Sequence, residues 1–209
     1  GTTLVPSCRL CWSVRLEVSA VGRQWGRIGD EADAARADVA RFLGCRRDEL
    51  AVTRNTTEAM NAIAEGVHLR PGDRVLTTDQ EHPGGVVGWE HETRYRGVVI
   101  DRVSLSEATT PDQMVVEAFA ARLAPRTRVT SVSHVTHTTG QCLPSQALAV
   151  LAASAGCLLV GGRSQAAGAL PAHLAGPGRH PSAPTAHIWM LPPQGNRRRA
   201  SRWDRADTP

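Results

Sequence analysis

Lysine does not occur in this chain: all 24 positions counted as lysine or arginine are arginine. That absence removes a class of chemistry, because a guanidinium stays protonated and cannot act as the deprotonated amine that adds to a carbonyl. Aromatic residues are scarce too, at 4%, so a core has to be assembled from alanine, valine and leucine. No apolar run approaches the roughly twenty residues of a membrane-spanning helix. The opening stretch to Ala20 is interrupted by Arg9, Arg15 and Glu17, which makes it a poor signal peptide. Cysteine is present but odd in number. Cys8, Cys11, Cys45, Cys142 and Cys157 offer no paired framework, and the Cys8-x-x-Cys11 spacing has no second pair to complete a zinc site. The expectation is a reducing, cytoplasmic setting, with no membrane and no metal.

What is present is ordinary for a globular protein. The 209 residues are 41% hydrophobic and 21% charged, enough for one substantial domain with a core of its own. The formal net charge of +4 suggests a polyanionic partner until its placement is examined. After Gln194 the tail carries Arg197, Arg198, Arg199, Arg202 and Arg205 against Asp204 and Asp207. Acids and bases are mixed through the body, so the excess belongs to a solvated end and not to a nucleic-acid-binding face.

Periodicity divides the chain. Residues 1–25 show no clear period and read as a lead-in. A helical pattern runs from Asp30, with Ala34, Ala37, Val39, Ala40, Phe42 and Leu43 as its apolar face and Gly44 at its end. Five short β-like runs follow, at Leu50–Thr53, Arg74–Thr77, Val98–Val103, Arg128–Val132 and Cys157–Val160. Between them lie helical segments near Thr57–Val67, Val87–Tyr95, Pro111–Leu123 and Ser145–Ala155. Strands alternating with helices predict crossover units, a mostly parallel sheet and helices on both faces. Ligands of such sheets sit at the carboxyl ends of the strands.

Polar residues gather after the predicted strands in four segments. The first is Thr53-Arg54-Asn55-Thr56-Thr57-Glu58-Ala59-Met60-Asn61, where Thr56 or Thr57 can cap the next helix and the free amides suit a phosphate. The second is Thr77-Thr78-Asp79-Gln80-Glu81-His82-Pro83-Gly84-Gly85, followed by Trp89. The third runs Ser131-Val132-Ser133-His134-Val135-Thr136-His137-Thr138-Thr139-Gly140, with Leu143-Pro144 after it. The fourth is Gln165-Ala166-Ala167-Gly168-Ala169-Leu170-Pro171. In this order and spacing the segments resemble the large domain of class V aminotransferase-fold enzymes, a group holding isopenicillin-N-epimerase-like proteins and cysteine desulfurases. The resemblance covers about Trp25 to Gly195.

The resemblance implies an α/β fold, a three-layer sandwich of the type I pyridoxal-phosphate-dependent transferase kind with a mostly parallel sheet. It divides the chain into a lead-in (1–25), a large domain (26–195) and an arginine-rich tail (196–209), and it implies that the family's small C-terminal domain is missing here. By position, Thr56 and Thr57 would meet the cofactor phosphate and His82 would stack on the pyridine ring. Gln165 and His137 would lie by the ring hydroxyl, and Thr185 would help hold the phosphate. The ligand would be an amino-acid-like small molecule. The family's dimeric habit implies a homodimer, or a dimer with an intact homologue.

Departures from the family fall on its chemistry. The family's aspartate-glycine pair before the glutamine keeps the pyridine nitrogen protonated, as an electron sink requires. Here Val160-Gly161-Gly162-Arg163-Ser164-Gln165 is one residue longer and has no acid. Ile188 falls on the position of the Schiff-base lysine, after His187. Gly176–Pro184, with Pro177, Pro181 and Pro184, fits poorly where the family has a strand. The reading that follows is a catalytically disabled domain, with pyridoxal phosphate held non-covalently if at all. One alternative is an active lysine-independent enzyme in which His187 moves protons. Another is a non-catalytic partner of an intact relative. A metal site built from His82, His134, His137 and His187 is a further reading, without a clear third ligand in any chelating arrangement.

Overall fold

A computed structural model describes residues 25–105, 110–164 and 181–184. Most of the expected lead-in and all of the arginine-rich tail lie outside them.

Runs rich in valine, leucine and threonine, residues whose shapes suit a pleated surface, form a five-stranded sheet. Its strands are β1 (Arg74–Thr78), β2 (Val99–Val103), β3 (Thr127–Ser133), β4 (Leu158–Arg163) and β5 (Ser182–Pro184). They lie in the order β2-β1-β3-β4-β5, every neighbouring pair parallel. The helices are α1 (Trp25–Leu43), α2 (Thr56–Gly66), α3 (Pro83–Arg96), α4 (Asp112–Arg122) and α5 (Ser145–Ser154). None of the helices among the described residues is long and apolar enough to cross a membrane.

Alternation along each strand builds two cores, because successive side chains leave a strand on opposite faces. Val75, Val129 and Val160 join Met60, Ala64 and Trp89 under α2 and α3. Their neighbours Leu76, Val132 and Leu159 join Val115, Phe119 and Leu148 under α4 and α5. Each fully buried side chain of this size contributes about 1.5–3 kcal/mol relative to exposure. The product is the expected three-layer sandwich with helices on both faces.

Three expectations need correction. Leu50–Thr53 is not a strand: it pairs with no other segment among the described residues, and Val52 is 70% exposed. β-propensity alone does not make a strand without a partner to complete the ladder. Part of the proline-rich stretch does form one, since Ser182–Pro184 pairs with β4. The chain tolerates Pro184 because it closes a short strand that lies, among the described residues, at the edge of the sheet, where one donor fewer leaves no ladder broken. Phe42, assigned to the apolar face of α1, is exposed, whereas Ala40 and Leu43 are buried.

Topology points to a site. From β1 the chain moves outward to β2, and from β3 it moves the other way to β4, so the order reverses between β1 and β3. The carboxyl ends flanking such a reversal form the crevice where doubly wound sheets take their ligands.

Candidate functional site

Two carboxylates hold the loop after β1 against the strands on either side. Asp79 accepts from the Leu105 amide at 3.0 Å and the Ser104 hydroxyl at 2.5 Å, beyond the end of β2. Glu81 turns the other way and accepts from the Ser133 amide at 2.9 Å and the Ser133 hydroxyl at 2.6 Å, at the end of β3. Thr78 donates a further bond to Glu81 at 3.0 Å. Burial pushes the Glu81 carboxyl above its ordinary value, while these bonds and the nearby His137 oppose the rise. The loop is therefore pinned across the switch point, and it ends at His82.

His82 caps α3, its Nδ1 accepting from the Gly84 amide at 2.9 Å, with Pro83 in the first turn. That bond fixes the ring's rotation and, in the neutral imidazole, leaves the proton on Nε2. His137 meets His82 edge to face, with centroids 4.9 Å apart and planes at 75°. Its own loop is closed by Thr136, whose hydroxyl accepts from the Gln141 amide at 3.0 Å, and by Thr139, which donates to Gln80 at 3.0 Å. Both histidines are exposed at the crevice.

Helix α2 approaches from the same side as α3. Its N-cap is Asn55, not Thr56 or Thr57: the Asn55 side chain accepts from the Glu58 amide at 2.9 Å. Asparagine caps well because its short amide reaches the third helical residue. Thr56 and Thr57 thus occupy the first two helical positions. The approach of α2 to α3 depends on glycine. A Cβ at Gly84 would collide with the Thr57 hydroxyl, and one at Gly88 would meet Asn61 Oδ1 at 2.9 Å and Ala64 Cβ at 3.0 Å. Trp89, beside Gly88, donates from Nε1 to the Ser131 hydroxyl at 3.0 Å, fastening α3 to β3.

At the end of β4, Ser164 donates to the Thr56 hydroxyl at 2.9 Å. Arg163, one residue earlier, is half-buried, and burial lowers its affinity for the proton. His134 is also half-buried; burial first and the Arg163 charge second push its pKa below the ordinary value. Its Nδ1 is shut off from solvent and has no hydrogen-bond partner.

The structure therefore brings Thr56, Thr57, His82 and His137 to one edge of the sheet. Gln165, Thr185, His187 and Ile188 lie outside the described residues. Four contributors were not singled out as site residues from sequence: Glu81, Ser133, Ser164 and Arg163. The signal for Glu81 was its place directly before His82 in a post-strand loop. Ser133 and Ser164 gave none, since strand-end serines are commonplace. Among the described residues no three His, Cys, Asp or Glu side chains form a group that could hold a metal.

These donors fit part of pyridoxal phosphate. Two hydroxyls on the first turn of a capped helix suit a phosphate, and an oriented imidazole suits the face of a flat ring. Among the described residues no carboxylate stands at the end of β4 for a ring nitrogen; a guanidinium is there instead.

Comparison with known proteins agrees with the geometry. The family model described as Aminotransferase class-V matches residues 15–178. The isopenicillin N epimerase of Amycolatopsis lactamdurans is 37% identical over 165 residues, 77% of this chain and 41% of that protein. A probable cysteine desulfurase of Synechocystis sp. is 34% identical over 134 residues, 62% of this chain and 31% of that protein. The chain thus spans less than half the length of these curated relatives. Among solved structures, the cysteine desulfurase CsdA of Escherichia coli superposes with a TM-score of 0.66 at 26% identity, over 82% of this chain and 44% of that one. A mutant of C-DES with glycine covalently linked to its PLP cofactor superposes at 0.76 over 90% of this chain and 50% of that one; its 21% identity speaks for the fold alone.

Proposed function

The chain belongs to the class V aminotransferase family, and on that premise we propose that it is a pyridoxal-phosphate-holding member without the family's covalent chemistry. One observation carries the reading: Thr56, Thr57 and His82 are assembled at the switch point in a chain that has no lysine. The hydroxyls of Thr56 and Thr57, with the first-turn amides of α2, would hold the phosphate, where the helix dipole favours a negative charge. His82 would cover one face of the ring, its rotation set by the Gly84 amide. By resemblance, Gln165, His137 and Thr185 would complete the contacts.

When bound, the cofactor supplies an aldehyde and an electron-withdrawing ring. Ile188, at the lysine position by resemblance, has no amine to meet the first and cannot move a proton. Gly161, Gly162 and Arg163 supply no carboxylate to protonate the second. Loss of either function alone typically costs orders of magnitude in rate. The ligand beside the cofactor would be an amino-acid-like molecule, in keeping with the epimerase and desulfurase names of the relatives.

The test is an absorbance spectrum of the purified chain mixed with pyridoxal phosphate, taken before and after gel filtration. Cofactor that is retained and still absorbs as the free aldehyde is the expected result. A near-visible band of cofactor bonded to a protein amine, surviving filtration, would overturn the reading, as would cofactor-dependent turnover of an amino acid.

A further inference from the structure

We propose that Arg163 and His134 form an oxyanion-binding subsite at the carboxyl edge of β3 and β4, taking a phosphate or carboxylate group. The two residues are neighbours by strand geometry. Ser133 is paired with Gly162, and the His134 amide donates to the Gly162 carbonyl at 2.8 Å, so the parallel register carries His134 alongside Arg163. Residues one step beyond a paired position share a face of the sheet, and the Arg163 charge is felt at the His134 imidazole.

Each side chain lacks what the other cannot give. Arg163 makes no hydrogen bond or ion pair among the described residues, although half-buried cations are normally matched to an acid. His134 Nδ1 is buried and without a partner. In the tautomer with the proton on Nδ1, that nitrogen and the guanidinium are both donors and cannot satisfy one another. The acid nearest in the fold's logic, Glu81, already accepts two bonds from Ser133 and one from Thr78. An oxyanion answers both needs: it accepts two parallel bonds from the guanidinium fork and one from Nδ1–H. This subsite is separate from the phosphate position proposed at α2, and it stands whether or not the cofactor binds there.

Imidazole nitrogen resonances of the full chain, followed during titration with inorganic phosphate and with acetate, test it. The signal of His134 Nδ1 should move saturably with at least one anion. Arg163→Gln should weaken that binding roughly ten- to hundredfold, the loss expected for hydrogen bonds to a charged group. Arg122→Gln, which removes an exposed arginine elsewhere, should leave the dissociation constant unchanged. If Arg163→Gln does not fold, Arg163→Lys keeps the charge without the planar fork and should still weaken binding several-fold. No saturable shift in the wild-type chain, or an unchanged dissociation constant in the Arg163 variant that folds, would overturn the proposal.

Competition separates the two sources of the anion. Inorganic phosphate that still shifts His134 in cofactor-loaded protein, with acetate leaving it unmoved, assigns the subsite to a phosphate other than the cofactor's. Acetate that still shifts His134 in cofactor-loaded protein assigns it to a substrate carboxylate. Cofactor retention is read separately by gel filtration, so the subsite and the cofactor reading can fail independently.

Discussion

At Gly84 an added methyl group would collide with the Thr57 hydroxyl and press on His82 Nδ1 at 3.1 Å. Gly84→Ala should therefore destabilise the chain by about 1–3 kcal/mol, the usual cost of overpacking, and also turn His82 away from its place. Gly88→Ala, one turn along α3, meets Asn61 and Ala64 and should carry a similar stability cost without touching the histidine. Urea melts compare the stabilities, and cofactor retention after gel filtration separates the two. Equal retention in both variants would mean that the Thr57–His82 approach does not shape the site. Thr56 and Thr57 owe their positions to Asn55, which takes over the capping. Asn55→Ala should cost about 1 kcal/mol of stability, measured as a lower urea midpoint, and a change below a few tenths would deny Asn55 that role.

The elements around the crevice are held by the loop after β1, and Glu81 is its tie to β3. Burial raises its pKa, so between the unfolded value of 4.5 and the raised one the folded chain binds more protons than the unfolded chain. Stability from this group is full below 4.5 and is lost as pH rises through the folded-state pKa, then stays level. Glu81→Gln is neutral throughout and removes the dependence. Urea midpoints of the two proteins should diverge as pH is raised from acid toward neutrality, the wild-type chain falling relative to the variant. Parallel profiles would show that Glu81 is not perturbed. Asp73 works with the opposite sign. The Arg70 amide is the chief cause of its lowered pKa, with Arg126 and Arg128 adding to it, so its contribution is present above 3.8 and lost on acidification.

For the whole molecule, a ligand that binds only the folded chain must raise its melting temperature. Pyridoxal phosphate at a hundredfold excess over its dissociation constant should add about 2.7 kcal/mol, seen as an upward midpoint shift. Pyridoxal, lacking the phosphate, should shift it less. A midpoint unmoved by the cofactor at any concentration would leave a fold without this ligand. The reversal of strand order between β1 and β3 is what makes such a site possible, since it opens a crevice at the carboxyl ends of those strands.

Sequence by itself determined the architecture, because alternation and helical period are local properties written into each segment. The strands at Arg74, Val99, Thr127 and Leu158 and the helices between them fall within a few residues of where periodicity places them. It also determined that this chain carries no lysine amine, since no packing can create one. Only the tertiary structure decided which strand-like runs pair. Leu50–Thr53 has the propensity but no strand partner among the described residues, whereas Ser182–Pro184 has poor propensity and finds β4. Only the fold, too, could bring Ser164 to Thr56 across 108 residues, tie Glu81 to Ser133, and leave the Arg163 side chain and His134 Nδ1 without a hydrogen-bond partner among the described residues. Such contacts depend on register and distance between segments far apart in the chain, which no local pattern encodes.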